Sequence, residues 1–122
     1  MSSNTKLTTA NAYMRFLQLA RAVQHLPDTP QLDANEKALL EEIVLRWFEN
    51  RVMTVREAIG LSHLGSPATL HKRITRLRQK DLLMTFNQSE DKRAKYLIPT
   101  EKTMAMFGDF GQKMNSAVQI PG

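Results

Sequence analysis

Cysteine is absent from this 122-residue chain, which removes thiol catalysis, cysteine-ligated zinc and cysteine redox sensing, and suits a reducing compartment. Long uncharged apolar runs are absent as well, and the polar start Met1-Ser2-Ser3-Asn4-Thr5 has no signal-peptide core. Neither a membrane span nor a secretion signal is expected, and the protein reads as soluble and cytoplasmic. The three histidines, His25, His63 and His71, do not share ligand spacing, so no metal site is expected. There is no Ser-His-Asp grouping, glycine-rich phosphate loop or dinucleotide fingerprint. The adjacent acids Glu41-Glu42 and Glu90-Asp91 cannot face one substrate as a catalytic pair must. Neither an enzyme nor a bound cofactor is expected. Acidic residues are missing altogether from residues 1–27.

What is present is basic charge in one place. Of 17 Lys and Arg, 8 fall within residues 66–95, against 3 acids there, so this stretch supplies most of the formal net charge of +5. A focused cationic surface on a small helical domain is the footprint of a phosphate-backbone binder, although a plain solvated face would carry the same charges. With 42% hydrophobic residues, the chain is long enough to bury a core as one domain.

Apolar spacing predicts a first helix over 8–26, with Tyr13, Phe16, Leu17, Ala20 and Val23 on one face widened by Ala12, Leu19 and Leu26. A stripe this broad suggests burial against several elements or a second chain. Pro27-Asp28-Thr29-Pro30 breaks the helix. Asp33 and Glu36 form a capping-box signal for a second helix with Leu40, Ile43, Val44 and Trp47 inward and Glu41, Glu42 and Glu49 in solvent. Thr54-Val55-Arg56-Glu57 repeats the signal for a third, short helix with Val55, Ala58 and Ile59 inward, ended by Gly60 or Gly65, of which Gly65 is favoured because Leu61 and Leu64 continue the apolar pattern. Ser66 as N-cap and Pro67 at the first helical position open a fourth helix, 66–80. Its Leu70, Ile74 and Leu77 cluster inward, and Ala68, Thr69, Lys72, Thr75, Arg76 and Gln79 point away, flanked by His71 and Arg78.

Residues 82–87 and 95–98 are rich in strand-compatible side chains around a polar, charged turn at 88–94, which predicts a β-hairpin closed by Pro99. A last helix over 100–118 carries Met104, Phe107, Phe110, Met114 and Val118 in another wide apolar band. Gly108 and Gly111 inside it mark either the approach of a partner helix or a break. The order predicts a mainly α (α+β) chain: a winged helix-turn-helix core over 33–99, with a wing over 82–98, between two terminal helices that carry wide apolar bands.

The run Ser66-Pro67-Ala68-Thr69-Leu70 through Arg76-Leu77-Arg78-Gln79-Lys80-Asp81-Leu82-Leu83 resembles the recognition helix and following strand of MarR-family transcriptional regulators. The run Asp91-Lys92-Arg93-Ala94-Lys95-Tyr96-Leu97-Ile98-Pro99-Thr100-Glu101-Lys102 resembles that family's wing, with its Asp-x-Arg motif. The similarity covers roughly residues 32–117. It implies a bacterial regulator pairing as a symmetric homodimer through its first and last helices, here through Tyr13, Phe16, Leu17, Ala20, Phe107, Phe110 and Met114. It also implies that Arg93 enters or borders a minor groove, steadied by Asp91. The chain departs from the family pattern in a tighter turn before Ser66, in Pro99 late in the second strand, and in a single helix after the wing.

For Ser66, Ala68, Thr69, His71, Lys72, Thr75 and Arg76 the expected role is contact with a major groove, where arginine or lysine serves guanine and threonine packs on a thymine methyl. Lys92, Lys95, Arg73, Arg78 and Lys80 are expected at phosphates or as a source of simple long-range attraction, which position without specifying. The expected partner is double-stranded DNA with an inverted-repeat operator. A winged-helix adaptor meeting an acidic protein fits the same surface. A sensor of small molecules would need an apolar cavity between the first, second and last helices, which nothing in the sequence demonstrates.

Overall fold

A computed structural model describes residues 2–24, 32–88 and 91–119, with side chains described over 8–21, 32–88 and 93–116. The elements are α1 (Ser2–Gln24), α2 (Ala34–Phe48), α3 (Val55–Ile59), α4 (Pro67–Gln79), β1 (Leu83–Gln88), β2 (Asp91–Pro99) and α5 (Glu101–Gln119). They group into two compact units, Met1–Thr29 with Met106–Gly122, and Pro30–Ala105. Among the described residues no helix is long and apolar enough to cross a membrane.

In the unit 30–105, the core is made by Leu39, Leu40, Ile43, Leu70, Leu77, Leu82 and Leu97, all fully buried. Each such leucine or isoleucine contributes roughly 1.5–3 kcal/mol when withdrawn from water. Leu39 is buried with the inward set, Trp47, expected there, is only half-buried, and Glu42 is half-buried beside Arg46 at 2.9 Å rather than in open solvent. Asp33 caps α2 by accepting the Glu36 amide at 2.7 Å, and that bond holds its carboxyl below the usual carboxylate range. The return half of the expected capping box is replaced: Glu36 is buried and its carboxylate accepts from Lys80 Nζ at 2.8 Å. In α3 both halves form, the Thr54 hydroxyl accepting from the Glu57 amide and Glu57 Oε1 accepting from the Thr54 amide.

The third helix ends at Ile59 with Gly60 as C-cap, not at Gly65. Leu61 is buried, as its apolar pattern requires, but in a turn closed by the bond from the Leu64 amide to the Leu61 carbonyl. Gly65 then redirects the chain with φ at +152°, and a Cβ there would stand 3.2 Å from Arg73 Nη1. That guanidinium donates to the Leu64 carbonyl at 2.8 Å, so it cannot simply swing away. Gly65→Ala should therefore lower unfolding stability by about 1–3 kcal/mol in urea denaturation. An unchanged midpoint would contradict the strain assigned to this turn.

The second strand of the hairpin is longer than its apolar residues suggest. β2 begins at Asp91, so 91–94 belong to the strand and not to the turn, and the strands run 83–88 and 91–99 where 82–87 and 95–98 are expected. Pairing is regular from Leu83↔Pro99 to Asn87↔Lys95 and then jumps to Gln88↔Asp91. The shift leaves Lys92, Arg93 and Ala94 in a bulged stretch of β2, a device that bends a strand and re-aims its side chains. On the other side of β2, Thr54 bridges to Tyr96 and the Leu97 amide donates to the Met53 carbonyl at 2.8 Å. This short link ties the start of α3 to the base of the hairpin.

In the unit formed by the two ends of the chain, α1 starts at Ser2 instead of residue 8, because no proline or glycine interrupts Ser2 to Leu7. The expected break at Pro27 to Pro30, with His25 and Leu26, lies outside the described residues. α5 continues unbroken through Gly108 and Gly111, each with open space where a Cβ would be.

Candidate nucleic-acid interface

The amphipathic split of α4 decides what it presents. Leu70, Ile74 and Leu77 are buried, and 3.6-residue periodicity then turns the intervening positions outward. Ala68, His71, Lys72, Thr75, Arg76, Arg78 and Gln79 are exposed, and Thr69 is half-buried. Ser66 caps the helix: its hydroxyl accepts from the Thr69 amide at 3.3 Å and donates to Thr69 Oγ1 at 2.9 Å. Thr75 donates its hydroxyl back to the His71 carbonyl at 3.0 Å. The ridge is therefore a helix face bearing Lys72, Arg76 and Arg78, with small or hydroxylated residues between the cations.

Arg93 and Lys95, both exposed, lie on β2. With Thr54, Val55, Arg56, Ile59 and Ala94 they line an open cleft of about 690 Å³ between α3 and the hairpin. The bridge from Thr54 to Tyr96 is what brings the two sides together. Three cations facing one concave space from its two sides favour an anion. Glu57, the nearest acid in sequence, is engaged in the α3 cap. Lys92 and Asp91 sit in β2, and their side chains fall outside the described ones.

No protein-family model matches the sequence, and neither does any curated protein. Solved structures do match in three dimensions. The transcriptional regulator Tm0710 from Thermotoga maritima has a TM-score of 0.61 at 16% identity, over 98% of this chain and 78% of its own. MepR of S. aureus, solved as a DNA complex, gives 0.54 at 12% identity over 93% and 84%. ZitR of Lactococcus lactis, a zinc-responsive MarR family member, gives 0.51 at 19% identity over 98% and 82%. The fold is that of the MarR-type winged-helix regulators.

In this MarR-type fold α3 and α4 are the helix-turn-helix pair, and β1 and β2 are the wing. Two basic residues expected at phosphates have internal tasks instead. Arg73 is half-buried and clamps the α3–α4 turn through Leu64, and Lys80 pairs with the buried Glu36. Both lie on the flank of α4 that meets α2 and α3, a distinction that net charge cannot make. Arg56 was not singled out in the sequence, yet it lines the cleft opposite Arg93 and Lys95. The signal was available in the Thr54 cap, which fixes Arg56 in the first turn of α3 beside the wing.

The terminal helices of the MarR-type fold leave large apolar side chains uncovered in the single chain. Tyr13 and Phe16 are 62% and 58% exposed with their rings stacked at 6.2 Å, and Leu17 and Met114 are 38% and 43% exposed. Ala20, Phe107 and Phe110 are half-buried, the two phenylalanine rings 6.0 Å apart. Among the described residues, no group of three or more His, Cys, Asp or Glu stands together as metal ligands would.

Proposed function

We propose that this protein is a double-stranded-DNA-binding transcriptional regulator that acts as a homodimer, reading an inverted-repeat operator with α4 in the major groove and the wing at the minor groove. The observation that carries the proposal is the outward basic face of α4, borne by the same compact unit as the cleft of Arg56, Arg93 and Lys95. Lys72, Arg76, Thr69, Thr75, His71, Ala68 and Ser66 are the groove-side residues, and Lys92, Lys95, Arg78 and Arg56 meet phosphates. Arg93 takes the narrow groove, whose negative potential attracts an inserted arginine. The uncovered Tyr13, Phe16, Leu17, Ala20, Phe107, Phe110 and Met114 supply the dimer contact, since patches of this kind on a monomer mark association surfaces. The likeness to MepR, itself solved with DNA, supports this reading.

Gel shift with genomic fragments, followed by selection of the bound ones, tests the proposal and yields the operator together. If about 8 phosphates are neutralised per dimer, log affinity should fall against log salt with a slope near −7. A slope near zero, or capture of acidic proteins with no retained DNA, would turn the reading to an adaptor. Half-sites should be centred about one helical turn apart.

A further inference from the structure

Three residues, 80–82, separate the end of α4 from the start of β1. Every carbonyl among them is held from the first turn of α5: Lys80 O by Lys102 Nζ at 2.9 Å, Asp81 O by the Thr100 hydroxyl at 2.6 Å, and Leu82 O by the Thr103 hydroxyl. Asp81 adopts a positive φ of 60°, so the chain turns sharply here. Thr100 and Thr103 are themselves buried. From the other side, Lys80 Nζ reaches Glu36 Oε2 at 2.8 Å, across from the first turn of α2. The Glu36 side chain is only 6% exposed, and Lys80 supplies the ion pair that offsets its removal from water.

We infer that Glu36 and Lys80, with Thr100 and Lys102, are positioning residues that set the angle between recognition helix and wing. This rests on the proposed DNA reading. A protein that engages a major groove and a minor groove at once must hold its two reading elements at a fixed angle, and residues 80–82 are the joint between them. None of the four side chains belongs to the groove-facing set. The buried acid serves where an apolar residue would pack as well, and a fixed geometry is what a paired buried charge supplies in return for its desolvation.

Electrostatics alone and the joint predict opposite signs for Glu36→Gln, which makes the test sharp. Glu36→Gln removes a negative charge, so simple attraction to phosphate would tighten binding to any duplex, and Lys80→Met would loosen it. If the pair is a joint, both changes act alike: affinity for a duplex selected by the parent protein falls about tenfold, while affinity for a random duplex of equal length barely moves. The double variant Glu36→Gln/Lys80→Met should lose no more than either single one, because the two residues act as a unit. Amide hydrogen exchange at residues 80–83, measured on the same proteins without DNA, should speed up in each variant. Lys102→Met, an exposed substitution with little demand on folding, should speed exchange at the same joint.

Opposite shifts in affinity, or equal losses on both duplexes with exchange at 80–83 unchanged, would overturn the inference. If the parent protein binds no duplex at all, the DNA reading fails instead. Faster exchange at 80–83 in the variants would still support the joint, and unchanged exchange would still reject it.

Discussion

Arg93→Ala should weaken binding to a selected operator by about 1–3 kcal/mol for each protomer, hence roughly 30-fold or more in a dimer that inserts two wings. The residue is exposed on a bulged stretch of β2, at one lip of the cleft it shares with Arg56 and Lys95. It contributes nothing to the core, whose members on this strand are Leu97 and Pro99. Surface substitutions of this sort usually stay within about 0.5 kcal/mol in stability, so the melting curve should be almost unmoved. The comparison that gives the result its meaning is Arg56→Ala. A phosphate contact from α3 weakens all duplexes alike and lowers the salt slope, whereas an arginine reading a narrow groove costs most where the sequence narrows it. Parental affinity in the Arg93→Ala protein would take the wing out of the recognition mechanism.

Much of the scaffold could be read from the order of residues because the signals were local. Ser66-Pro67 and Thr54 through Glu57 act through hydrogen bonds three residues apart, and the structure forms both caps. The inward set Leu70, Ile74 and Leu77 follows from helical periodicity alone and is buried as read. What escaped were partners distant in sequence. Glu36 carries a capping signal, but an acid with a lysine 44 positions away can choose the lysine, and here it does. Arg73 and Lys80 belong to the same basic run as Arg76, yet they face inward elements, so charge counting assigned them all to one surface. The third helix was read too long because a buried leucine in a turn, Leu61, satisfies the same apolar pattern as one in a helix. The second strand of the wing was read too short because Asp91 to Ala94 lack strand-like side chains and are held by backbone pairing and a bulge. The cleft itself depends on a bridge between Thr54 and Tyr96, a contact no local pattern encodes.

The outward basic face exists only because the opposite face is nailed down, and Leu70→Ala measures that. Leu70 is fully buried, and its Cδ2 lies 3.5 Å from where a Cβ on Gly65 would be, so it fills the space beneath the α3–α4 turn. Truncation removes the buried methyl groups and leaves a void that the turn, pinned by Arg73 on Leu64, can close only in part. Large-to-small changes of this type cost about 2–5 kcal/mol. Against a total stability of about 5–15 kcal/mol for a domain, that is a large share, and urea denaturation should show it directly. Thr75→Ala, on the exposed side of the same helix, removes a solvent-facing methyl and a hydroxyl that bonds back to His71, and should change stability by about 0.5 kcal/mol or less while still altering DNA selectivity. The contrast separates anchoring from reading within a single helix. A Leu70→Ala protein as stable as its parent would mean that α4 is not held by its apolar stripe, and the outward orientation of Lys72 and Arg76 would lose its physical basis.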